Sequence, residues 1–276
     1  MTDRYAVVGN PISHTKSPLI HTAFARQTSQ DLSYVALEAP LDGFAAKVDQ
    51  FRAEGGRGLN VTVPFKMDAF NYANERMERA RLAGAVNAIK FDGERVIADN
   101  FDGIGLVADI ERNLGVPLKG ARVLMLGAGG AVRGALLPFL ERKPAELVIV
   151  NRTVSKATRL AEQFSTFGNL AATGYEALGE ESFGRYDIIV NATSASLRGE
   201  LPPIGAGAFA AGSLAYELAY GKGLTPFLKL AQQAGAERLA DGVGMLVEQA
   251  AEAFVWWRGV RPDTKRVIAQ LTVPLT

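Results

Sequence analysis

Four short segments in the first third of the chain are dense in hydroxyl, amide and charged side chains. They are residues 13–18, 60–66, 84–87 and 99–103. Hydroxyls and amides in such segments could hold a small polyhydroxylated substrate by hydrogen bonds. Lys66 would be the group that transfers a proton, and Asp102 would be its ion-pair partner. The residue types therefore indicate proton-transfer chemistry on a hydroxylated molecule.

Each of these segments also has a purely structural interpretation. Ser17 could cap a helix whose first position is Pro18. Lys66 could be a surface lysine, since most lysines are solvated. His14 and His21 are the only histidines of the chain, and a histidine near a turn or on a helix is more often structural than catalytic. The chemical interpretation depends on the segments occurring together.

A buried strand, a glycine turn and a helix follow one another at residues 122–142. Gly127, Gly129 and Gly130 would let the backbone approach a pyrophosphate, and the helix N-terminus would offer free N–H groups and a positive dipole end. The third glycine position of the simplest dinucleotide fingerprint holds Val132. The alternative is a helix start whose glycines serve packing alone. The coincidence of strand, turn and helix favours a dinucleotide site.

The end of the next strand indicates which dinucleotide binds. An NAD site usually has an acidic residue there to hold the ribose 2′-hydroxyl. Here Asn151-Arg152-Thr153 follows the strand, Lys156 lies beyond it, and no acidic residue is nearby. A guanidinium attracts a 2′-phosphate, so we predict NADP; the alternative is that Arg152 only solvates the strand end. Thr193, after the following strand, suits a nicotinamide ribose or a turn.

The elements that must position these residues alternate between strands and helices, which predicts an α/β fold with mostly parallel sheets. We expect a domain boundary near residues 102–103. Strands are predicted at 5–9, 32–37, 59–63, 87–90, 95–98, 122–126, 147–150, 187–191 and 214–218. Helices are predicted from residue 18 and at 41–53, 75–83, 104–114, 131–142, 155–164, 225–234 and 244–258.

Composition excludes several classes of function. The 276 residues include 30 basic and 29 acidic side chains, which leaves no basic footprint for nucleic acid. The absence of cysteine excludes disulfides, thiolate metal sites and cysteine nucleophiles, and two histidines are too few for a histidine-rich metal site. We expect no metal, no membrane partner, no signal peptide, a cytoplasmic location and a monomer or homodimer.

Taken in order, these segments resemble the shikimate dehydrogenase family over nearly the whole chain. The resemblance continues through Thr225-Pro226-Phe227-Leu228 and residues 241–250. It implies an NADP-dependent oxidoreductase that interconverts 3-dehydroshikimate and shikimate in chorismate and aromatic amino-acid biosynthesis. It also implies a substrate-binding domain of residues 1–102 plus 241–276, since the terminal helices fold back, and a Rossmann-type NADP-binding domain of residues 103–240.

The resemblance assigns a role to each matching residue. Lys66 and Asp102 would be the catalytic pair. Substrate would contact Thr15, Ser17, Thr62, Asn87, Tyr216 and Gln249. The cofactor would contact Gly127, Ala128, Gly129, Gly130, Ala131, Asn151, Arg152, Thr153, Lys156, Thr193, Leu214 and Gly242.

Three departures from the family pattern leave other functions open. Thr15 stands where the family usually has Ser, Phe101 where Thr is frequent, and Glu217-Leu218 where Asp and Met are common. They fit a quinate/shikimate dehydrogenase-like paralogue with altered substrate, although the extra methyl of Thr15 argues against the larger quinate. A non-catalytic NADP-binding relative need not keep Lys66 and Asp102. A methylenetetrahydrofolate dehydrogenase or glutamyl-tRNA reductase would need folate or tRNA surfaces that the sequence does not indicate.

Overall fold

The computed structural model describes residues 2–179 and 183–275, which divide into two compact units. Unit 1 comprises Met1–Gly105 and Val247–Ala269, and unit 2 comprises Leu106–Leu246 and Gln270–Thr276. Each unit is built on its own β-sheet with helices packed against it. Among the described helices, none has both the length and the apolar composition needed to cross a membrane.

Unit 1 is built on a mixed sheet. Its strands are β1 (Asp3–Gly9), β2 (Leu32–Glu38), β3 (Gly56–Val61), β4 (Glu75–Arg76), β5 (Ala88–Asp92) and β6 (Arg95–Asp99). The strand order is β2-β1-β3-β5-β6-β4. β1 runs parallel to β2 and β3, and β4 runs parallel to β6, whereas β5 is antiparallel to both β3 and β6. The first residue of β5 therefore lies at the sheet edge where β3 and β6 end.

The helices associated with unit 1 are mostly short. They are α1 (Ser17–Gln27), α2 (Phe44–Ala53), α3 (Lys66–Tyr72), α4 (Glu78–Ala83), the start of α5 (Asp102–Ala108), most of α9 (Val243–Arg258), and α10 (Lys265–Leu271). A π-helical turn at Asp109–Asn113 continues α5. The apolar faces of α2, α3 and α4 are buried with one face of the sheet in a common core.

Unit 2 is built on a parallel sheet. Its elements are β7 (Arg122–Leu126), α6 (Gly130–Glu141), β8 (Glu146–Val150), α7 (Val154–Phe164), β9 (Leu170–Thr173), β10 (Tyr186–Asn191), β11 (Phe209–Glu217), α8 (Pro226–Gln233) and β12 (Arg238–Asp241). The strand order β12-β11-β10-β7-β8-β9, with every pairing parallel, is that of a Rossmann fold. The order reverses between β7 and β10, which is where such sheets bind dinucleotides.

The predicted fold class is confirmed, and the differences concern short elements. The sequence patterns did not predict α3, β9, β12 or α10. They also predicted one helix over residues 75–83, where β4 and α4 share the segment. β9 and β12 have four residues each and lie at the two edges of their sheet, so each pairs with a single neighbour. Such strands carry too few residues for a clear apolar alternation.

His21 lies in an aromatic cluster of unit 1. Its ring stacks on Tyr34 with centroids 4.1 Å apart and lies 5.5 Å from the ring of Trp257. Phe254 contributes a further ring at 6.2 Å. Burial lowers the pKa of His21 to about 3. The histidine is therefore a neutral core residue at physiological pH.

Glu217 ties together several elements at the carboxyl end of the unit 2 sheet. Its Oε2 accepts hydrogen bonds from Asn191 Nδ2 at 2.9 Å, from Thr225 Oγ1 at 3.2 Å and from Ser196 Oγ. Its Oε1 accepts one from the backbone nitrogen of Ala219 at 3.3 Å. Burial raises the pKa of Glu217, and these donors oppose that rise. One buried carboxylate thus holds the ends of β10 and β11 and the N-cap of α8.

We expect His21 to make unit 1 less stable in acid. The unfolded chain takes up a proton on this side chain near its ordinary pKa of about 6.5, whereas the folded chain resists protonation until about pH 3. The contribution of neutral His21 to the free energy of unfolding is present above pH 6.5 and is lost progressively as the pH falls toward 3. Between about pH 6 and about pH 4 this group should cost about 1.4 kcal/mol of unfolding free energy per pH unit.

Urea unfolding followed by tryptophan fluorescence measures this effect, because the chain's two tryptophans, Trp256 and Trp257, lie in unit 1. The variant His21→Phe should show a shallower acid slope than the wild type. His14→Phe, which removes the exposed histidine, is the matched control and should keep the wild-type slope. Equal slopes for His21→Phe and the wild type would contradict the prediction.

Glu217→Ala should destabilise unit 2, because Asn191, Ser196 and Thr225 would lose a buried acceptor. Each unsatisfied buried donor costs about 1–3 kcal/mol, so we expect a total loss of about 3–5 kcal/mol after partial relaxation. Urea unfolding followed by circular dichroism provides the measurement. Glu237→Ala, at an exposed position of the same unit, should change stability by about 0.5 kcal/mol or less. A loss of stability as small as that of the control would show that the hydrogen bonds of Glu217 contribute little to the stability of unit 2.

Candidate active site

Asp102 is the centre of a polar cluster in unit 1. Lys66 Nζ donates to Asp102 Oδ2 at 2.5 Å, and Asn87 Nδ2 donates to Asp102 Oδ1 at 2.8 Å. Asn87 Nδ2 also donates to Gln249 Oε1 at 3.1 Å. The Lys66 and Asp102 side chains are 33% and 15% exposed, so the ion pair is partly desolvated but open to a ligand. Four residues predicted from separate segments thus meet in one cluster.

The local fold explains why these side chains meet. Lys66 begins α3, and its carbonyl oxygen accepts a hydrogen bond from the backbone nitrogen of Val86 at 3.0 Å. Asn87 follows directly and precedes β5. Asp102 begins α5, where its backbone nitrogen donates to Asn100 Oδ1 at 3.1 Å. The three residues therefore sit at the edge where β3 and β6 end and β5 begins.

Gln249 reaches the cluster from α9 because that helix lies close to α5. A Cβ atom at Gly105 would lie 2.6 Å from the backbone nitrogen of Gln249, a distance that real side chains do not tolerate. Glycine at this position lets the two helix backbones approach. The approach brings the amide of Gln249 to Asn87.

Phe101 lies behind the cluster and not within it. Its side chain is 4% exposed and packs edge-on against Trp256, with ring centroids 5.5 Å apart. The guanidinium of Arg79 lies 5.5 Å from the Phe101 ring centroid and is ion-paired with Asp99. The Phe101 backbone nitrogen donates to Asn87 Oδ1 at 2.8 Å. The departure from the family's Thr is therefore accommodated by an aromatic core contact.

Thr15 and Ser17 form a second polar group. Thr15 Oγ1 donates to Ser17 Oγ at 3.2 Å and accepts from the Ser17 backbone nitrogen at 3.3 Å. Lys16 occupies the N-cap position of α1 without a side-chain cap, so Ser17 is not the capping residue. Thr62 follows β3, and a Cβ at Gly9 would lie 2.6 Å from its methyl carbon. Glycine at position 9 therefore leaves room for the Thr62 side chain beside the end of β1.

The hydroxyl of Tyr216, a predicted substrate contact, is already hydrogen-bonded within the protein. Tyr216 is fully buried, and its hydroxyl donates to Asp109 Oδ2 at 2.7 Å and accepts from the backbone nitrogen of Met245 at 3.2 Å. Burial and the adjacent Asp109 carboxylate raise its pKa. Asp109 was not among the predicted site residues, although an aspartate between apolar residues of a helix is a recognisable signal.

A cavity of about 560 Å³ opens at the carboxyl ends of β7, β8 and β10 in unit 2. Its lining includes the predicted cofactor residues Gly127, Ala128, Gly129, Asn151, Arg152, Thr153, Lys156 and Thr193. Gly130 and Ala131 begin the adjacent α6. Leu214 is buried within β11, and Gly242, whose Cβ would lie 2.2 Å from the carbonyl of Leu218, is likewise outside the lining. Contact of these two residues with a cofactor stays a prediction.

The glycine turn fits a dinucleotide pyrophosphate. Gly129 is the N-cap of α6 and supplies no capping side chain, so the first N–H groups of the helix lack that partner. Cβ atoms at Gly129 or Gly130 would meet nothing within 4 Å, which leaves room for a ligand at the helix N-terminus. Gly127 has φ +109° and packs against the carbonyl of Ala192, a conformation that favours glycine.

The charges of the cavity differ from the prediction in one respect. Arg152 and Lys156 line it, and across residues 2–179 and 183–275 no carboxylate lies within ion-pair distance of Arg152. However, Glu200 and Arg198 line the same cavity. The expectation that no acidic residue lies near Arg152 is therefore wrong for the folded chain. Glu200 lines the same cavity, because the chain after β10 returns to the end of β8. Tyr175, another lining residue, had no signal in the sequence.

Three family comparisons cover most of the chain. The shikimate dehydrogenase substrate binding domain matches residues 7–89, the shikimate/quinate 5-dehydrogenase family matches residues 109–198, and the shikimate 5′-dehydrogenase C-terminal domain matches residues 242–272. Proteins named shikimate dehydrogenase (NADP(+)) from Nitrosospira multiformis and Chromobacterium violaceum are 56% and 57% identical, with 98% of each chain covered.

Solved structures agree with these relatives. A crystal structure of an Ael1 enzyme from Pseudomonas putida is 61% identical, with a TM-score of 0.94 and full coverage of both chains. A shikimate 5-dehydrogenase from Thermus thermophilus in complex with NADP(H) and shikimate is 30% identical, with a TM-score of 0.85, covering 97% of this chain and 98% of that one. High identity over the full length and the matching domains lead to one conclusion: this chain belongs to the shikimate dehydrogenase family.

Proposed function

We propose that this chain is an NADP-dependent shikimate dehydrogenase, which reversibly reduces 3-dehydroshikimate to shikimate. The observation that carries the proposal is the Lys66–Asp102–Asn87 cluster in a chain whose full-length relatives bear that name. A partly open ammonium group beside a carboxylate and an amide suits proton transfer at a hydroxylated ring. A direct assay distinguishes this function from the rival paralogue and non-catalytic functions.

The unit 2 cavity would hold the cofactor. The glycine turn and the N-terminus of α6 would bind the pyrophosphate, and Arg152, Thr153 and Lys156 would bind the 2′-phosphate. When bound, NADPH supplies the hydride that reduces the substrate carbonyl. Unit 1 would bind the substrate through Thr15, Ser17, Thr62, Asn87 and Gln249. Tyr216, the remaining predicted contact, belongs to unit 2, and its hydroxyl is already paired with Asp109.

Lys66 would supply the proton. As the carbonyl carbon receives hydride, the oxygen gains negative charge, and Lys66 Nζ donates a proton to it to form the hydroxyl. The neutral amine then regains a proton from water, which the 33% exposure of its side chain permits. In the reverse direction the amine accepts the hydroxyl proton. In both directions, the 2.5 Å hydrogen bond to Asp102 holds Nζ in place.

Asn87 and Gln249 would orient the substrate. Both hydrogens of Asn87 Nδ2 are already used, one by Asp102 and one by Gln249. A substrate oxygen that accepts from Asn87 would replace Gln249 Oε1, and the released amide of Gln249 could then contact the substrate itself.

We place this reaction in the cytoplasm, where NADP(H) serves reductive biosynthesis.

The first experiment follows the absorbance of NADPH while purified protein oxidises shikimate with NADP⁺. Rapid reduction of NADP⁺ with shikimate, and much slower reduction with quinate at equal concentration, is the expected result. Faster turnover of quinate would identify the paralogue function. Binding of NADP⁺ without turnover of either acid would favour the non-catalytic relative.

Lys66→Ala should reduce kcat by about 10²–10⁴-fold, because it removes the proton-transfer group. The KM for shikimate should change much less, and NADP⁺ affinity should be unchanged, because Lys66 lies in unit 1. Lys66→Arg keeps the positive charge beside Asp102 but loses an efficient proton donor, so it should be nearly as slow. Steady-state kinetics of both variants provide the measurement.

Lys47→Ala serves as the matched control for this prediction. Lys47 lies on α2 of the same unit and is also partly buried. Its variant should retain wild-type kcat and KM. If Lys66→Ala kept the turnover of this control, Lys66 would not be the proton-transfer group.

A further inference from the structure

Arg198 and Glu200 form an ion pair at the rim of the unit 2 cavity. Arg198 ends a 3₁₀ turn, Ser196–Arg198, that follows β10. Its Nη2 donates to Glu200 Oε2 at 2.7 Å, and its Nη1 donates to Ser194 Oγ at 2.8 Å. Both partners of the pair line the same cavity as Arg152 and Lys156. The planar fork of Arg198 is thus committed to two acceptors of its own loop.

Glu200 places a negative charge in the cavity that would hold the 2′-phosphate. The hydrogen bond from Arg198 lowers the pKa of Glu200, and the charge of Arg152 acts in the same direction. Glu200 is therefore ionised at neutral pH and lies within the field of Arg152. An unpaired carboxylate in such a position repels a 2′-phosphate and favours a ribose with a free 2′-hydroxyl.

The pair is too exposed to matter for stability. The side chains of Arg198 and Glu200 are 56% and 57% exposed, and exposed pairs of this kind contribute little to folding. The ion pair does affect the binding of a polyanion, because the charge balance of the cavity decides how strongly the cavity attracts a phosphate dianion. A role in ligand choice therefore explains this arrangement better than a role in folding.

We propose that Arg198 is a specificity-determining residue for NADP, which acts by holding Glu200. While Arg198 pairs with Glu200, the guanidinium of Arg152 remains available for the 2′-phosphate. Without Arg198, Glu200 becomes a competing anion for Arg152 and Lys156. NAD lacks the 2′-phosphate, so its binding does not depend on this competition. The inference rests on the proposed NADP-dependent function and concerns the choice of dinucleotide.

The test compares dissociation constants for NADP⁺ and NAD⁺ by isothermal titration calorimetry on the full chain. Arg198→Ala should weaken NADP⁺ binding about tenfold and NAD⁺ binding less than about twofold. Glu200→Gln should bind NADP⁺ at least as tightly as the wild type. The double variant, which lacks both the clamp and the competing anion, should recover most of the NADP⁺ affinity that Arg198→Ala loses.

Arg159→Ala is the matched control for net charge. Arg159 is exposed on α7, outside the cavity lining, and its removal takes one positive charge from unit 2. This variant should keep the wild-type preference for NADP⁺. Titration with 2′,5′-ADP and 5′-AMP isolates the phosphate effect, because the two probes differ only in the 2′-phosphate.

Each remaining outcome is decisive. A wild-type chain that binds NAD⁺ as tightly as NADP⁺ overturns the proposed cofactor and this inference with it. A wild-type preference for NADP⁺ that survives Arg198→Ala overturns the inference alone. A double variant as weak as Arg198→Ala also overturns it, because Arg198 would then act by contacting the phosphate directly and not through Glu200.

Discussion

The carboxylate of Asp102 is the shared acceptor on which the unit 1 cluster depends. One oxygen accepts from Lys66 and the other from Asn87, so both donors are held by a single group. This sharing requires the ends of β3 and β6 to meet the start of β5. Because β5 is antiparallel to both neighbours, its first residue lies at that edge. In a wholly parallel sheet, Asn87 would lie at the opposite edge.

Asn87 links this cluster to the sheet on every side. Its backbone nitrogen donates to the carbonyl of Asp99 at 3.1 Å, and its carbonyl accepts from Val61 at 2.9 Å. Its side-chain oxygen accepts from the backbone of Phe101 at 2.8 Å. The backbone of Asn87 is therefore held by β3 and β6, and its side-chain amide is held by the backbone of Phe101, before any ligand arrives. A rigid Asn87 in turn fixes Asp102, which keeps the proposed proton donor in one position without cost on binding.

The sequence predicted those features of the site that are formed by residues close together along the chain. The glycine turn, the strand before it and Arg152 after the next strand are local patterns, and the structure places them around one cavity. It could not predict the approach of Glu200 to Arg152, since that depends on how the chain after β10 returns across the sheet. The pairing of Tyr216 with Asp109 depends on the same kind of tertiary contact.

Two departures from the family pattern, Phe101 and Glu217, make well-defined contacts with their neighbours in this chain. Phe101 fills space against Trp256 and under Arg79, and Glu217 meets donors from Asn191 and Ser196. Exchanging Phe101 for Thr would leave a void in a close-packed core before it changed any polar contact of Asp102. The side chain of Phe101 therefore offers no reason to expect a changed substrate. If this chain prefers another ring acid, the cause must lie among groups that face the ligand, and Thr15 is the one departure that is also a predicted substrate contact.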